Sequence, residues 1–388
     1  MRETKKIRGA EVLHTLFFLL HLMLFFPAQS MAEEYSKEKG QSIEFKPKVS
    51  GYIEGWYRYN YSDLSNQTVS AKKVNNEFRV RRARIDVNGN INEEVGYRVN
   101  GNFDGPSPAS ESATVKLWDG YINYKFHPLA SITFGQFKYP FTLEGLESTR
   151  DRIPVLRAES INEIAGKLGT QGGGFRDIGV QVSGRYEKAL DLKYAVAVIN
   201  GSGINKGDNN NIKDFVGRII FSPIEELTLG VSGYSGKGQD ESIQTFEVNE
   251  TAYGAEGEYI LKGSGLSLRG EYLAADWENW NVITNSAEKG KEHKPNGWYL
   301  HATYKPMQSL NLQFMARYED FERDSNTTDS HLKTTTMGAT YSIKDKTRIT
   351  VNYLIRKADV NSVVIAQETD ATGGKIGNLL IFQILVAY

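Results

Sequence analysis

Apolar and polar residues alternate with a period of two through most of the chain. In residues 52–61 one face carries Ile53, Gly55, Tyr57, Tyr59 and Tyr61, and the other carries Tyr52, Glu54, Trp56, Arg58 and Asn60. The same pattern recurs in residues 95–104, 119–126, 177–186, 190–198, 310–318 and 348–356. Such alternation predicts β-strands with one apolar and one polar face. After the first 32 residues, a helical period is suggested only within 155–167.

Short and long connections alternate between these strands. Short links fall at 90–94, 127–130, 187–189, 222–226, 262–265, 305–309 and 344–346, and longer polar links near 62–75, 105–113, 139–173, 201–212, 238–249, 279–295, 322–331 and 360–375. The spacing predicts roughly sixteen strands of the ~9–11 residues that cross an outer membrane. An even number of strands places both chain ends on the periplasmic side, so the long loops face the exterior.

The polar faces of the strands decide between two all-β classes. A soluble sandwich hides its apolar faces in a core, whereas a barrel of roughly sixteen strands encloses water and turns its apolar faces to lipid. Nearly every polar face here carries charged residues, and no second apolar surface is present to cover them. We therefore predict an all-β fold, a transmembrane antiparallel β-barrel of roughly sixteen strands.

The longest connection, residues 139–173, is the third external loop of this barrel. Its apolar residues argue against disorder: Phe141, Leu143, Leu146, Ile153, Val155 and Leu156. It also carries charges that a buried core does not accept unpaired: Glu144, Glu147, Arg150, Asp151, Arg152 and Arg157. We predict that the loop folds into the lumen as a constriction, and an ordinary surface loop is the alternative.

Composition removes several classes of function. The 388 residues include no cysteine, which excludes disulfides, thiol catalysis and cysteine-based metal sites. No histidine pair has metal-ligand spacing and no GxSxG or phosphate-binding glycine loop occurs, so we predict no enzyme and no cofactor. A net charge of −1 argues against a general nucleic-acid binder. The 21 tyrosines, 18 phenylalanines and 37 glycines suit many strands with aromatic girdles.

Both ends of the chain carry targeting features. Basic residues at positions 2, 5, 6 and 8 precede an apolar run at 12–26, and Ser30 and Ala32 suit a cleavage site. We predict a signal peptide at 1–32, a short polar lead at 33–44 and the barrel at 45–388. The last strand, 376–388, ends on Tyr388 and resembles the terminal signal that the outer-membrane assembly machinery recognises.

Six stretches resemble, in order, the phosphate-selective porin O and P family. They are 78–86 (FRVRRARID), 117–124 (LWDGYINY), 134–147 (FGQFKYPFTLEGLE), 176–180 (RDIGV), 200–208 (NGSGINKGD) and 214–223 (DFVGRIIFSP). The resemblance implies a homotrimer of barrels in a Gram-negative outer membrane, surrounded by membrane lipid and lipopolysaccharide. It also implies passive diffusion of small anions, phosphate included, through a channel that the third loop narrows.

The resemblance implies a set of residues at the anion-binding constriction. Arg81 and Arg82 match the wall arginines of the family, Asp119 its lumen aspartate, Ser148 and Thr149 the hydroxyl pair of the third loop, and Arg157 a later loop arginine. Arg150 of the loop and Arg218 of the lumen wall complete the predicted set. Phosphate-selective members carry a lysine directly after the loop's Leu-Glu, where this chain has Gly145. The loop also gains Glu147 and Asp151, and both changes weaken the expectation of phosphate.

Charges on the predicted lumen faces nearly balance. The bases are Arg58, Arg82, Arg84, Arg98, Lys125, Arg185, Lys193, Arg218, Arg269, Lys305, Arg317, Arg348 and Arg356, and the acids are Glu54, Asp86, Asp104, Asp119, Asp177, Asp191, Asp214, Glu256, Glu258, Glu271 and Glu319. Anion selectivity therefore requires local clustering, and residues 78–86 form the clearly basic cluster. A bulge at Arg81 and Arg82 would turn both side chains inward. Alternatively, one of them extends to the headgroup zone.

Two other functions stay open at this point. Because the lumen charges nearly balance, a general or cation-leaning diffusion pore is the first alternative. The second is a non-conducting outer-membrane adhesin or structural barrel, whose external loops would carry the function. Conductance in a planar bilayer separates a pore from an adhesin, and the reversal potential in a salt gradient separates the two kinds of pore.

Overall fold

The structure, a computed structural model, describes residues 47–61, 76–105, 113–168, 174–187, 190–239, 247–280, 291–344, 347–359 and 377–388. The predicted signal peptide at 1–32 and polar lead at 33–44 lie outside the described residues, as does the end of the third long connection at 169–173. Within the described ranges, no helix has the length and hydrophobicity needed to cross a bilayer.

Seventeen strands make up nearly all the regular structure of the described residues. They are β1 (Lys48–Asn60), β2 (Asn76–Asn90), β3 (Val95–Asp104), β4 (Thr114–His127), β5 (Ala130–Lys138), β6 (Arg176–Tyr186), β7 (Leu192–Ile199), β8 (Asp214–Ile224), β9 (Leu227–Gln239), β10 (Glu247–Leu261), β11 (Leu266–Trp280), β12 (Lys291–His293), β13 (Asn296–Tyr304), β14 (Leu312–Glu322), β15 (His331–Lys344), β16 (Thr347–Ala358) and β17 (Leu379–Ala387). The helical elements are a four-residue helix, α1 (Leu143–Leu146), a π-helical turn (Ile161–Ala165) and a 3₁₀ turn (Gln308–Leu310). The helical period within 155–167 therefore corresponds to the π-helical turn.

The strands form one closed antiparallel sheet. Each strand pairs with its neighbours in sequence, and β1 pairs with both β2 and β17, so that Tyr52 lies opposite Arg84 on one side and Ala387 on the other. The three-residue β12 pairs with β11, as β13 does, and the two share one position in the ring. The described strands therefore occupy sixteen positions, and the predicted antiparallel barrel is confirmed.

The apolar face of the sheet is uncovered. Phe78 of β2 is 85% exposed and Leu300 of β13 is 61% exposed, and Phe382, Ile384 and Val386 of β17 are also exposed. Two packed sheets would bury such residues against each other. The exposed face excludes the soluble sandwich and matches the apolar outer surface of a membrane barrel.

The polar face is covered instead, in large part by residues 139–168. Phe141, Ile161 and Ile164 of this segment are nearly inaccessible and pack with Leu273 of β11 and Tyr299 of β13 in the largest buried apolar cluster. Since these strand residues lie on the face opposite the exposed apolar side chains, the long segment packs on the same surface that carries the charged residues.

Candidate functional site

The segment 139–168 begins with α1, which is held by a carboxylate from the barrel wall. The backbone N–H groups of Leu143 and Glu144 donate to the two carboxylate oxygens of Glu271 on β11, at 2.8 and 2.7 Å. The side chain of Thr142 caps the N–H of Gly145 at 3.0 Å. An acidic group at the start of a helix satisfies amides that have no partner within the helix. Glu271 therefore anchors the first turn of the segment.

Arg317 of β14 lies at the centre of the second anchor. Its guanidinium contacts Glu144 Oε1 at 3.2 Å, Glu319 Oε1 at 3.3 Å and the carbonyl of Leu156 at 3.1 Å. The other Glu144 oxygen accepts from the N–H of Ala158 at 2.9 Å. Burial opposes the ionisation of Glu144, but the positive charge of Arg317 outweighs it and lowers the pKa of that carboxyl below its ordinary value of 4.5. Arg317 thus binds both halves of the segment.

A third set of contacts reaches the opposite part of the ring. The N–H of Val155 donates to Asn352 Oδ1 of β16 at 2.8 Å. Arg348, also on β16, donates to the carbonyls of Thr149 at 3.0 Å and Arg152 at 2.7 Å. Arg82 of β2 donates to Thr149 Oγ1 at 3.1 Å. One segment therefore contacts β2, β11, β14 and β16 through side chains of their polar faces.

The predicted basic pair lies at a bulge in β2. The register between β1 and β2 shifts at this point, because Glu54 pairs with Arg82 and Gly55 pairs with Val80. Arg82 Nε lies 3.0 Å from Glu54 Oε2, and the Cζ atom of Arg81 lies 5.4 Å from the centre of the Trp56 ring. Both arginines lie on the polar face, as the bulge predicted, and neither extends to the outer surface.

The other predicted site residues separate into two groups. Ser148, Arg150 and Arg157 belong to the segment: Ser148 Oγ accepts from the N–H of Arg150 at 3.3 Å, and Arg157 donates to the carbonyl of Glu144 at 3.1 Å. Asp119 and Arg218 lie on the wall in separate ion pairs, Asp119 with Arg176 at 2.7 Å and Arg218 with Glu256 at 3.0 Å. Within the predicted set, a hydrogen bond from Arg82 to Thr149 connects the wall to the loop.

Gly145 lies where a larger residue would not fit. A Cβ atom at this position would lie 2.5 Å from Thr142 Oγ1 and 3.0 Å from the ring of Phe175. Lys138 of β5 reaches the same place from the wall, and its Nζ donates to the carbonyls of residues 145, 146 and 147 at 3.1, 2.9 and 3.0 Å. The chain thus has a cation beside this turn, supplied by β5 instead of by the loop.

Besides Arg157, four cations around the segment are bound to neutral oxygens. Lys138 and Arg348 donate to the backbone carbonyls described above, Arg152 donates to the carbonyls of Pro154 and Val155 at 2.9 and 2.7 Å, and Arg84 donates to an amide oxygen at 2.8 Å. Within the described residues, none of the four lies within 4.0 Å of a carboxylate. These four residues, called the uncompensated cations below, carry positive charge that no carboxylate in direct contact cancels.

The comparisons with known proteins identify the family. The family model named phosphate-selective porin O and P matches residues 52–258, more than half of the chain. The chain belongs to this family. No curated protein matches the sequence of this porin at a significant level.

Solved structures show the same fold at low identity. The porin is similar to the anion-selective porin from Comamonas acidovorans, with a TM-score of 0.64, 11% identity, and coverage of 89% of this chain and 100% of that one. It is also similar to the trimer form of OmpT of Vibrio cholerae, with a TM-score of 0.60, 11% identity, and coverage of 89% and 99%. Salmonella typhi OmpF in complex with daunomycin gives a TM-score of 0.60, 12% identity, and coverage of 89% and 98%. Family and fold together point to an outer-membrane channel for small solutes in a Gram-negative cell.

Sequence reasoning missed several residues that build this site. The alternation placed Glu271, Arg317 and Arg348 on lumen faces, but nothing in it connected them to the loop. Lys138 and Arg176 carried no signal, because each lies at the end of a strand beside a long connection. In the described part of the porin, no group of three or more histidine or acidic side chains is arranged to hold a metal ion.

Glu159 adds a pH-sensitive contact to the segment. Its side chain is 7% exposed, its Oε2 atom has no hydrogen-bond partner in the described residues, and its N–H donates to Glu319 Oε2 at 2.8 Å. Burial, with Glu163 and Glu319 nearby, raises the pKa of Glu159 well above its ordinary value of 4.5. Arg356 and Arg317 act in the opposite direction and are outweighed.

We expect the porin to lose stability as the pH rises, because of Glu159. A carboxyl whose pKa is raised by folding contributes its full stability below the pKa of the unfolded chain, and that stability is lost as the pH rises through the folded pKa. The Glu159→Gln variant should lose less stability than the wild type above about pH 4.3. Thermal unfolding between pH 5 and pH 8 measures this, with Glu187→Gln, on an exposed turn, as the control. Parallel pH profiles for the wild type and Glu159→Gln would exclude Glu159 as the cause.

Proposed function

We propose that this porin conducts small anions by passive diffusion, and that residues 139–168 form the constriction inside its lumen. The observation that carries the proposal is the positive charge of the uncompensated cations around the segment, which no carboxylate in direct contact cancels. A fixed positive charge in a region of low dielectric stabilises an anion and opposes a cation. The proposed pore carries out no chemical reaction and needs no cofactor.

The contacts of the segment support its position in the lumen. A closed sheet has one enclosed and one outer face, and the apolar side chains on one of them are exposed. The segment contacts strands as far apart in the ring as β2 and β11 through the other, polar face. A connection outside the barrel would have to cover apolar side chains to reach all of these strands.

We propose that phosphate permeates without a tight binding site. The three protons of the Lys138 ammonium group are directed to three carbonyls, and Arg152 and Arg348 donate to carbonyls as well. Lys138 therefore has no donor left to replace the hydration of an anion and acts on it through its field. Selection by charge is therefore expected, with little discrimination between anions of similar size.

Assembly follows the family in this proposal. We propose a homotrimer whose apolar outer surfaces meet membrane lipid and lipopolysaccharide, consistent with the trimer form named for Vibrio cholerae OmpT. Insertion through the assembly machinery would use the last strand, in which Leu380, Phe382, Ile384 and Val386 share the apolar face.

The reversal potential in a potassium chloride gradient tests the proposal. An anion-selective pore gives a reversal potential with the sign of the chloride equilibrium potential. Phosphate added at low concentration should not block the chloride current. A potential of the opposite sign would establish the cation-leaning pore, and block at low phosphate would establish a binding site. Well-folded protein that gives no conductance steps would favour the adhesin.

Arg82→Ala is expected to lower the anion preference. The substitution leaves Glu54, which is fully buried, without the cation at 3.0 Å, and it frees the Thr149 hydroxyl. At an effective dielectric constant of about 40, a unit charge at about 10 Å changes the energies of an anion and a cation by about 0.8 kcal/mol each in opposite directions, so the ratio of anion to cation permeability should fall roughly tenfold. Arg82→Lys keeps the charge and serves as the control. An unchanged reversal potential in Arg82→Ala would place this side chain away from the constriction.

A further inference from the structure

Trp118 lies on the polar face of the barrel because β4 carries a bulge. The register between β3 and β4 shifts between Asn100 and Gly101, and Trp118 is the extra residue, between Leu117 and Asp119. Leu117 is 45% exposed on the apolar face, whereas Asp119 is buried on the polar face. Strict alternation would have placed Trp118 and Asp119 on opposite faces. The bulge gives the polar face two consecutive residues, as the bulge in β2 does.

Two guanidinium groups share the ring of Trp118. The Cζ atoms of Arg84 and Arg176 each lie 4.5 Å from the ring centre. Cations within about 6 Å of the ring centre are attracted to the face of an indole. The indole N–H has no acceptor in the described residues, so stacking and not a hydrogen bond holds the ring. Gly174, just after the constriction segment, also packs here, since a Cβ atom on it would lie 3.4 Å from the ring.

The two arginines have one carboxylate between them. Arg176 Nε lies 2.7 Å from Asp119 Oδ1, whereas Arg84 Nε donates to the amide oxygen of Asn102 at 2.8 Å. Arg84 is 7% exposed and Arg176 is 3% exposed, so water screens their mutual repulsion only weakly. Two like charges against one ring therefore need a stabilising group besides Asp119.

A carboxylate and an aromatic ring stabilise a cation with different consequences for an ion channel. A carboxylate cancels the charge, as Glu54 does for Arg82. A ring has no net charge, so it stabilises cations and leaves their field in place. We infer that Trp118 is a positioning residue, which holds Arg84, whose charge no carboxylate in contact cancels, beside Arg176 and thereby sustains the positive potential of the channel. This inference rests on the anion preference proposed above.

Substitution of Trp118 tests the inference through the reversal potential. Trp118→Leu should lower the ratio of anion to cation permeability by roughly threefold, and Trp118→Phe by less, because a weaker ring remains. Single-channel conductance shows whether the pore is intact in each variant. Trp298→Leu is the matched control, because Trp298 is 37% exposed on the apolar face, and it should leave the ratio unchanged. If Trp118→Leu does not fold, the test rests on Trp118→Phe, which should still lower the ratio of anion to cation permeability.

The same substitution in an Arg84→Gln background separates positioning from packing. We expect Trp118→Leu to have little further effect on the permeability ratio in this background, because one of the two cations that Trp118 positions is absent. A packing role would change conductance or stability equally in both backgrounds. Wild-type permeability in Trp118→Leu, or an equal shift in both backgrounds, would overturn the inference and leave the proposed function standing. A wild-type porin without anion preference would overturn the proposed function and this inference with it.

Discussion

Replacing Arg317 with alanine is expected to loosen residues 139–168 and to raise the single-channel conductance and its noise. The guanidinium is 2% exposed and holds Glu144, Glu319 and the carbonyl of Leu156. Its removal leaves two buried carboxylates without this cation. The loss of one partner from a buried ion pair costs about 3–5 kcal/mol, which is a large fraction of the stability of most domains. The segment is held to the wall by side-chain contacts such as these and not by the backbone ladders that join the strands, so it should move first.

Planar-bilayer recordings measure this effect, with thermal unfolding as a second readout. Arg185→Ala is the control, because Arg185 is 52% exposed and pairs with the exposed Glu187 and with Asp191 near a short turn. Exposed ion pairs contribute little, so the control should behave as the wild type does. Wild-type conductance and noise in Arg317→Ala would show that this arginine does not hold the segment in the channel.

Removing two uncompensated cations together is expected to have the largest effect on selectivity. Arg152→Gln with Arg348→Gln removes two positive charges beside the segment, and glutamine can still donate to the carbonyls that both arginines bind. At about 10 Å and an effective dielectric constant of about 40, each charge contributes about 1.7 kcal/mol to the energy difference between an anion and a cation. The ratio of anion to cation permeability should therefore fall by roughly two orders of magnitude, enough to reverse the preference.

A neutral ion pair provides the matched control for this double variant. Arg218 and Glu256 bind each other across the sheet, and Arg218→Gln with Glu256→Gln removes both without changing the net charge. The same number of substitutions in the wall should then leave the reversal potential nearly unchanged. Equal shifts in the two double variants would show that net charge at the uncompensated cations does not set the preference.

The alternation of apolar and polar residues was sufficient to predict most strands of the barrel. Because one face of every strand is apolar and exposed, each strand could be recognised locally, without knowledge of its neighbours. The two adjacent arginines at 81 and 82 also indicated a bulge, since a regular strand cannot direct both to one face. In the same way, charged residues in an otherwise apolar loop distinguished 139–173 from the other connections.

The contacts that hold the segment were not predictable from local pattern. Glu271 caps a helix 127 residues away in the chain, and Asn352 binds the backbone of Val155 across 197 residues. Such pairs depend on how the closed sheet brings distant strands together. The bulge at Trp118 gave no signal either, because a tryptophan suits both faces of a barrel. The contacts of Lys138 could not be predicted because its partners are backbone carbonyls, which any sequence provides.

Chemical modification of one introduced thiol tests the central claim, that residues 139–168 lie in the ion path within a positive potential. The chain has no cysteine, so Arg150→Cys creates a single reactive site where the native side chain is 51% exposed. Single-channel conductance is recorded while a negatively or a positively charged methanethiosulfonate is added, and mass spectrometry confirms complete labelling. We expect a stepwise fall in conductance and a faster reaction of the negatively charged reagent. Complete labelling without any change in conductance would place the segment outside the ion path and contradict its proposed role as the constriction.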